Sequence, residues 1–187
     1  MQGNAIHLVR NERPDEMEMM QELVAVPRLY AVYTFPRHEK AVATQLKMKS
    51  VESYLPLFER MSRWKDRMAR VQLPLFPGYV FARIPLRERV KVLESSGVLR
   101  LVGFNGHPTP LPEGEIESLQ SYLSFRKAEP FPYLTAGKRV EVRAGPLAGL
   151  EGVVVRRKGG MRIVVSIDSI QRSIALELEA ADVRLIA

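Results

Sequence analysis

The chain has no cysteine among its 187 residues. A disulfide framework and a thiolate metal site are therefore excluded. Its 3 histidines, His7, His38 and His107, stand far apart, with no metal-ligand spacing between them. No long apolar run occurs at the N-terminus, so neither a signal peptide nor a membrane span is expected and a cytoplasmic location is the default. Catalytic signatures are missing too. There is no Walker loop, the glycines form no dinucleotide fingerprint, and no Ser/His/Asp geometry can be proposed. The expectation is a protein that is not an enzyme and needs neither cofactor nor metal.

What is present is basic charge. Lys and Arg number 28 against 21 Asp and Glu, a net charge of +7. That balance favours a polyanionic neighbourhood such as nucleic acid, although a basic surface alone is only an electrostatic footprint. The length fits one or two domains, and the 46% hydrophobic content is enough to bury a core.

Residues 1–28 are polar with scattered methionines and acids, and read as an extension in which residues 15–23 could form one short helix. Residues 30–35 are aromatic and β-branched and predict a strand that Pro36 ends. Residues 37–49 place Val42 and Leu46 at helical spacing beside Ala43. Residues 54–58 predict a second strand, at an edge because of Pro56. Residues 59–71 alternate cations with small or apolar residues and predict a protruding hairpin or loop. Residues 72–84 return as a long strand interrupted at Pro77-Gly78. Pro85 opens a helix with Leu86, Val90 and Leu93 on one face, and Gly97 stops it. Residues 98–104 form another strand. Pro112 starts a helix with glutamates near its positive end and Ile116, Leu119 and Leu123 as its stripe. The whole is an α+β layer architecture. Residues 126–134 are proline-rich and read as an interdomain linker.

From Thr135 the pattern becomes pure β. Val140 and Val142 alternate with Glu141 and Arg143, and Ile163, Val165 and Ile167 with Arg162, Val164 and Ser166. Strands this short at even spacing predict a small barrel. Between two of them lies Gly145-Pro146-Leu147-Ala148-Gly149-Leu150-Glu151-Gly152. Pro146 presets a turn, Gly145 and Gly149 tolerate left-handed angles, and Gly152 at a strand start marks a bulge or a close backbone approach.

This turn resembles the KOW motif, and the two halves together resemble the NusG family of transcription elongation factors. The resemblance covers residues 29–187. It rests on the opening strand Leu29-Tyr30-Ala31-Val32-Tyr33, on Phe76-Pro77-Gly78-Tyr79-Val80-Phe81, and on the Gly145–Gly152 turn followed by Ser166-Ile167-Asp168 and Leu176-Glu177-Leu178. It implies an NGN domain over 29–125, an antiparallel sheet with flanking helices, then the linker and a KOW β-barrel over 135–187. It also implies that the NGN domain docks on the clamp helices of the largest RNA polymerase subunit, and that the KOW domain recruits Rho or a small-subunit ribosomal protein. Several departures resemble specialised antitermination paralogs of the RfaH kind instead: the N-terminal extension, Leu29 in place of a tryptophan, Leu147 and Leu150 in the turn, and Ile170-Gln171-Arg172-Ser173. They put recruitment of Rho in doubt more than polymerase binding.

Each candidate site has a plainer reading beside it. Tyr33, Phe76, Tyr79 and Phe81 are either sheet core or, as the resemblance implies, a polymerase-docking pocket. Arg60, Arg63, Trp64, Lys65, Arg67 and Arg70 are a solvated hairpin or a nucleic-acid contact, in which cations neutralise phosphates and an aromatic face stacks a base. Arg37, His38 and Lys40 could serve similarly. Leu147 and Leu150, with Ile170, are a KOW partner patch or a plug at the barrel end. Arg156, Arg157 and Lys158 form a cationic hairpin tip. A ribosome-associated or general RNA-binding KOW protein is the alternative function.

Overall fold

The computed structural model describes residues 24–64, 67–112, 114–123, 128–131, 137–145, 147–157, 160–167, 170–177 and 182–186. The helix expected over 15–23 lies outside them. The first sheet is built on β1 (Arg28–Thr34), which pairs antiparallel with β5 (Tyr79–Ile84) on one side and β6 (Val98–Leu101) on the other. β2 (Glu52–Tyr54) closes the far edge, giving the order β2-β5-β1-β6.

Successive side chains on a strand point to opposite faces, and here both faces are apolar. Tyr30, Val32, Val80, Ala82 and Ile84 pack with Val42 and Leu46 of α1 (Glu39–Met48), together with Val92 and Leu101. Leu29, Ala31, Tyr79 and Phe81 point the other way. They pack with Leu75, Phe76, Leu111 and three residues of the last helix, Ile116, Leu119 and Tyr122. A sheet covered on both faces needs apolar residues at consecutive positions, which is what residues 29–33 supply.

Prolines reset two expected boundaries. The strand expected over 54–58 breaks at Pro56, which has no N–H for a ladder. Residues before it stay on the sheet edge, and β3 (Leu57–Trp64) starts after it. The long strand expected over 72–84 divides in the same way. β4 (Arg67–Pro74) pairs with β3 in a separate two-stranded ribbon, and the chain re-enters the first sheet only at Tyr79.

The helix expected after Pro85 is also different. A 3₁₀ turn (Leu86–Glu88) precedes a short α2 (Arg89–Leu93), and its tighter winding shifts the inward face. Val92 is buried, whereas Val90 and Leu93 are 53% and 42% exposed. A small hairpin of β7 (Gly103–Phe104) and β8 (His107–Pro108) leads to α3 (Glu115–Leu123). In α3, Tyr122 takes a buried place in the stripe and Leu123 is half-buried.

The second sheet runs β14-β10-β11-β12-β13-β9, all antiparallel. Its strands are β9 (Ala128–Phe131), β10 (Arg139–Val142), β11 (Glu151–Arg157), β12 (Gly160–Ile167), β13 (Arg172–Glu177) and β14 (Val183–Leu185). Two expectations change. Among the described residues β14 and β9 do not pair, so the sheet is open rather than a closed barrel. The proline-rich stretch expected as a linker supplies β9, with Pro130 opposite Ile174. Proline is tolerated there because β9 is an edge strand, and β9 in turn covers backbone groups that β13 would otherwise leave open. Arg162 of β12 pairs with Glu129 of β9 and with Glu177 of β13, the latter at 2.7 Å. Burial pulls the Arg162 pKa down, but the bonds to Glu177 and Glu129 more than offset it, so it lies above the usual value.

The glycine turn matches its chemistry. Gly145 and Gly149 have φ of +81 and +87, where side chains with a Cβ are strained. Gly152 is a close approach: a Cβ there would meet Ile163 Cγ2 at 2.5 Å and Val164 O at 2.8 Å.

Candidate functional site

The aromatic set is assembled by the Phe76-Pro77-Gly78-Tyr79 turn. Gly78 has φ of +87, and a Cβ on it would sit 3.3 Å from the Tyr33 ring. Its N–H donates to Oε1 of buried Glu39 at 2.7 Å, and its carbonyl accepts from Thr34 N at 2.8 Å. The turn is thereby bolted to the start of α1 and the end of β1. The Tyr33 and Tyr79 rings lie 5.3 Å apart, and those of Phe76 and Phe81 meet edge to face at 5.6 Å. The four residues expected to act together do lie together. Their exposure differs, however. Phe76, Tyr79 and Phe81 are 1%, 8% and 0% exposed, and Tyr33 alone is half-buried.

The second sheet and α3 provide the cover. Ile163, Val165, Ile174 and Leu176 belong to the same continuous core cluster as Phe76 and Phe81, with Ile116, Leu119 and Tyr122. The Tyr122 hydroxyl donates to the Glu177 carbonyl at 2.9 Å. The guanidinium of Arg172 stands over the Tyr79 ring at 5.4 Å, and that of Arg100 over Tyr33 at 5.5 Å. Cations over aromatic faces are attracted to the ring quadrupole.

Beside Tyr33 a cleft of about 680 Å³ opens. Tyr33, Pro36, Phe58, Pro74 and Pro77 give it apolar walls, and Arg37, Lys40, Arg60 and Arg172 give it positive charge. Lys40 Nζ donates to the Gln72 carbonyl at 2.8 Å, joining α1 to the base of the ribbon. His38 is spent elsewhere: it packs under Gly97, where a Cβ would come within 3.0 Å of it. Sequence reasoning missed the parts of this cleft that come from the second sheet, Pro130 and Arg172, because no local pattern links them to Tyr33.

The cationic segment is the β3–β4 ribbon. Register Met61↔Arg70, Ser62↔Ala69 and Arg63↔Met68 makes it a regular hairpin. Arg60, Arg63, Arg67 and Arg70 are all exposed. Trp64 ends β3, and Lys65 lies outside the described residues.

In the second sheet, Leu147 is 1% and Ile170 3% exposed, both within the core cluster, and half-buried Leu150 packs against it. Leu147 therefore plugs the end of the sheet in this arrangement. Arg156 and Arg157 stand opposite Met161 and Gly160, and Lys158 lies outside the described residues. Among the described residues no cluster of three or more His, Asp or Glu could hold a metal, and no helix is long and apolar enough to cross a membrane. Burial pushes the Tyr54 hydroxyl pKa up to about 12.

Comparison with known proteins bears on these surfaces. A family model described as transcription termination factor nusG (NusG) matches residues 28–120. The transcription termination/antitermination protein NusG of Staphylococcus aureus (strain Mu50 / ATCC 700699) is 26% identical over 175 residues, spanning 86% of this chain and 96% of that one. The same protein from strain N315 matches equally. The solved structure of domain interaction in Thermotoga maritima NusG superposes with a TM-score of 0.53 at 19% identity, covering 86% of this chain and 98% of that chain.

Proposed function

The chain belongs to the NusG family of transcription termination/antitermination factors, and from that premise we propose that it binds RNA polymerase through its N-terminal sheet and recruits a second partner through its C-terminal sheet. The observation that carries this reading is the convergence of Tyr33, Phe76, Tyr79 and Phe81 beside an apolar cleft with a cationic rim. A groove of that character suits a partner helix with an apolar stripe and acidic flanks, the chemistry of helix-in-groove recognition. The clamp helices of the largest polymerase subunit are the partner that family membership points to.

The second sheet occupies part of the same face. Full engagement of the aromatic set therefore requires that sheet to move away, leaving Tyr33 as the residue a partner meets first. Leu147 and Ile170 sit inside the core, so second-partner contact begins at Leu150 and the adjacent turn. That partner is a small-subunit ribosomal protein in preference to Rho, because the turn and the segment 170–173 depart from the housekeeping pattern. Within that segment Arg172 keeps the family's usual arginine and caps Tyr79. The departures at Leu29, Leu147, Leu150, Ile170 and Gln171 support a specialised, RfaH-like antitermination role on a limited set of genes. The exposed arginines of the ribbon supply a contact to nucleic acid in the elongation complex.

The test is reconstituted transcription with purified polymerase. The protein is expected to copurify with the polymerase and to raise read-through on its own long operon more than on unrelated templates. Equal stimulation everywhere would remove the specialised role, and absence of polymerase binding would overturn the reading. Retention on ribosomes without any polymerase binding would favour the RNA-binding alternative.

A further inference from the structure

The β3–β4 ribbon carries its charge on both faces, and that arrangement narrows what it can bind. Cross-strand partners share a face and neighbours alternate. One face therefore holds Met61, Arg63, Met68 and Arg70, with exposed Glu59 toward its base, and the other holds Arg60, Ser62, Arg67 and Ala69, with the Trp64 position at its tip and Val71 toward its base. Each face presents two exposed arginines, and none of the four has an ion-pair partner among the described residues. A ribbon meant to lie flat on a polyanion needs cations on one side only. Cations on both sides fit a slot with two anionic walls.

We propose that this ribbon inserts into the major groove of double-stranded B-form DNA, each face neutralising phosphates of one strand; this deepens the nucleic-acid contact put forward above and rests on that reading. The dimensions agree. Eight residues per strand at about 3.4 Å each extend roughly 27 Å, well beyond a groove roughly 8.5 Å deep. A two-stranded ribbon is one of the two elements that the groove, roughly 12 Å wide, admits. Ser62 and Ala69 stand opposite each other toward the tip of the ribbon, and their small side chains narrow that face between its two arginines. Met61 and Met68, 53% and 58% exposed, place adaptable thioethers between the arginines of the other face, suited to sugars and thymine methyl groups. The corresponding groove of an RNA duplex is too narrow and deep to take the ribbon.

The experiment is a fluorescence-anisotropy titration of the full chain with a DNA duplex, its single strand and the matching RNA duplex over a salt series. Four phosphate contacts predict that affinity for duplex DNA falls roughly a hundredfold between 50 and 200 mM salt. R63Q/R70Q and R60Q/R67Q should each lower the salt slope by about 1.8, to the same degree, while R63K/R70K retains it. Melting of each variant checks that it is folded. A slope that responds to one pair only, or equal binding of single strand or RNA duplex, overturns groove insertion. Loss of all nucleic-acid binding with polymerase binding intact sinks this inference and leaves the polymerase reading standing. Duplex binding without polymerase binding does the reverse.

Discussion

The aromatic face of the first sheet and the ribbon between β2 and β5 come from adjacent chain segments, yet they present opposite surfaces to a partner. On the face, Phe76 and Phe81 are buried under α3 and the second sheet. On the ribbon, four arginines and two methionines stand in solvent. The cause is the layer above each. Apolar residues on both sides of a strand are stable only when both sides are covered, and the first sheet has α1 on one side and α3 with the second sheet on the other. The ribbon, charged on both sides, has no drive to acquire a cover. On the proposed function, the ribbon would meet a partner as it stands, whereas the face would do so only after another part of the same molecule leaves.

The largest way to break that comparison is at the core. Phe81→Ala removes a fully buried ring and should cost about 3–5 kcal/mol of stability, read as a lowered denaturation midpoint. A cost below 1 kcal/mol would mean that the face is not packed as described. Gly152→Ala should cost about 1–3 kcal/mol, because its Cβ meets Ile163 and the Val164 carbonyl. An unchanged melting temperature would remove the close approach between β11 and β12. R63Q/R70Q should shift stability by no more than about 0.5 kcal/mol, and a larger loss would show that the ribbon is held by contacts beyond itself.

A further effect concerns pH. The Tyr54 hydroxyl is raised from 10.0 to about 12 by burial. Its neutral form is favoured in the folded state, so the stabilisation is complete below pH about 10 and is lost as pH rises toward 12. Alkaline melting curves should decline across that window, and Tyr54→Phe should flatten the decline; an identical decline in the variant would assign it to other groups.

Much of this was legible in the chain itself. Residues 30–35 announce a strand, Val42 and Leu46 announce α1, and the Arg60–Arg70 alternation announces a protruding hairpin or loop, because each follows from local periodicity. Pro56 announced an edge, and it lies two residues beyond β2. The glycine turn announced its left-handed angles and, at Gly152, a bulge or a close approach, of which the fold takes the second. What was not legible depended on long-range contacts. Ala128–Phe131 reads as a linker, since nothing local says that β13 needs an edge cover. Leu147 and Ile170 carry no local mark that distinguishes a plug from a patch. Arg172 is an ordinary surface cation until the fold sets it over Tyr79.

That last contact gives the most direct test of the account, which holds that polymerase docks on the aromatic face and that the second sheet covers it. The measurement is the affinity of purified RNA polymerase for the folded full chain and for two single variants. Tyr33→Ala, at the half-buried member of the aromatic four, should weaken binding by about tenfold or more. Arg172→Ala removes a cation–π contact of about 0.5–1 kcal/mol that holds the cover down, and should strengthen binding about two- to fivefold by raising the open population. Opposite signs are the predicted result. Unchanged affinity in both variants, or weaker binding in both, would contradict the account.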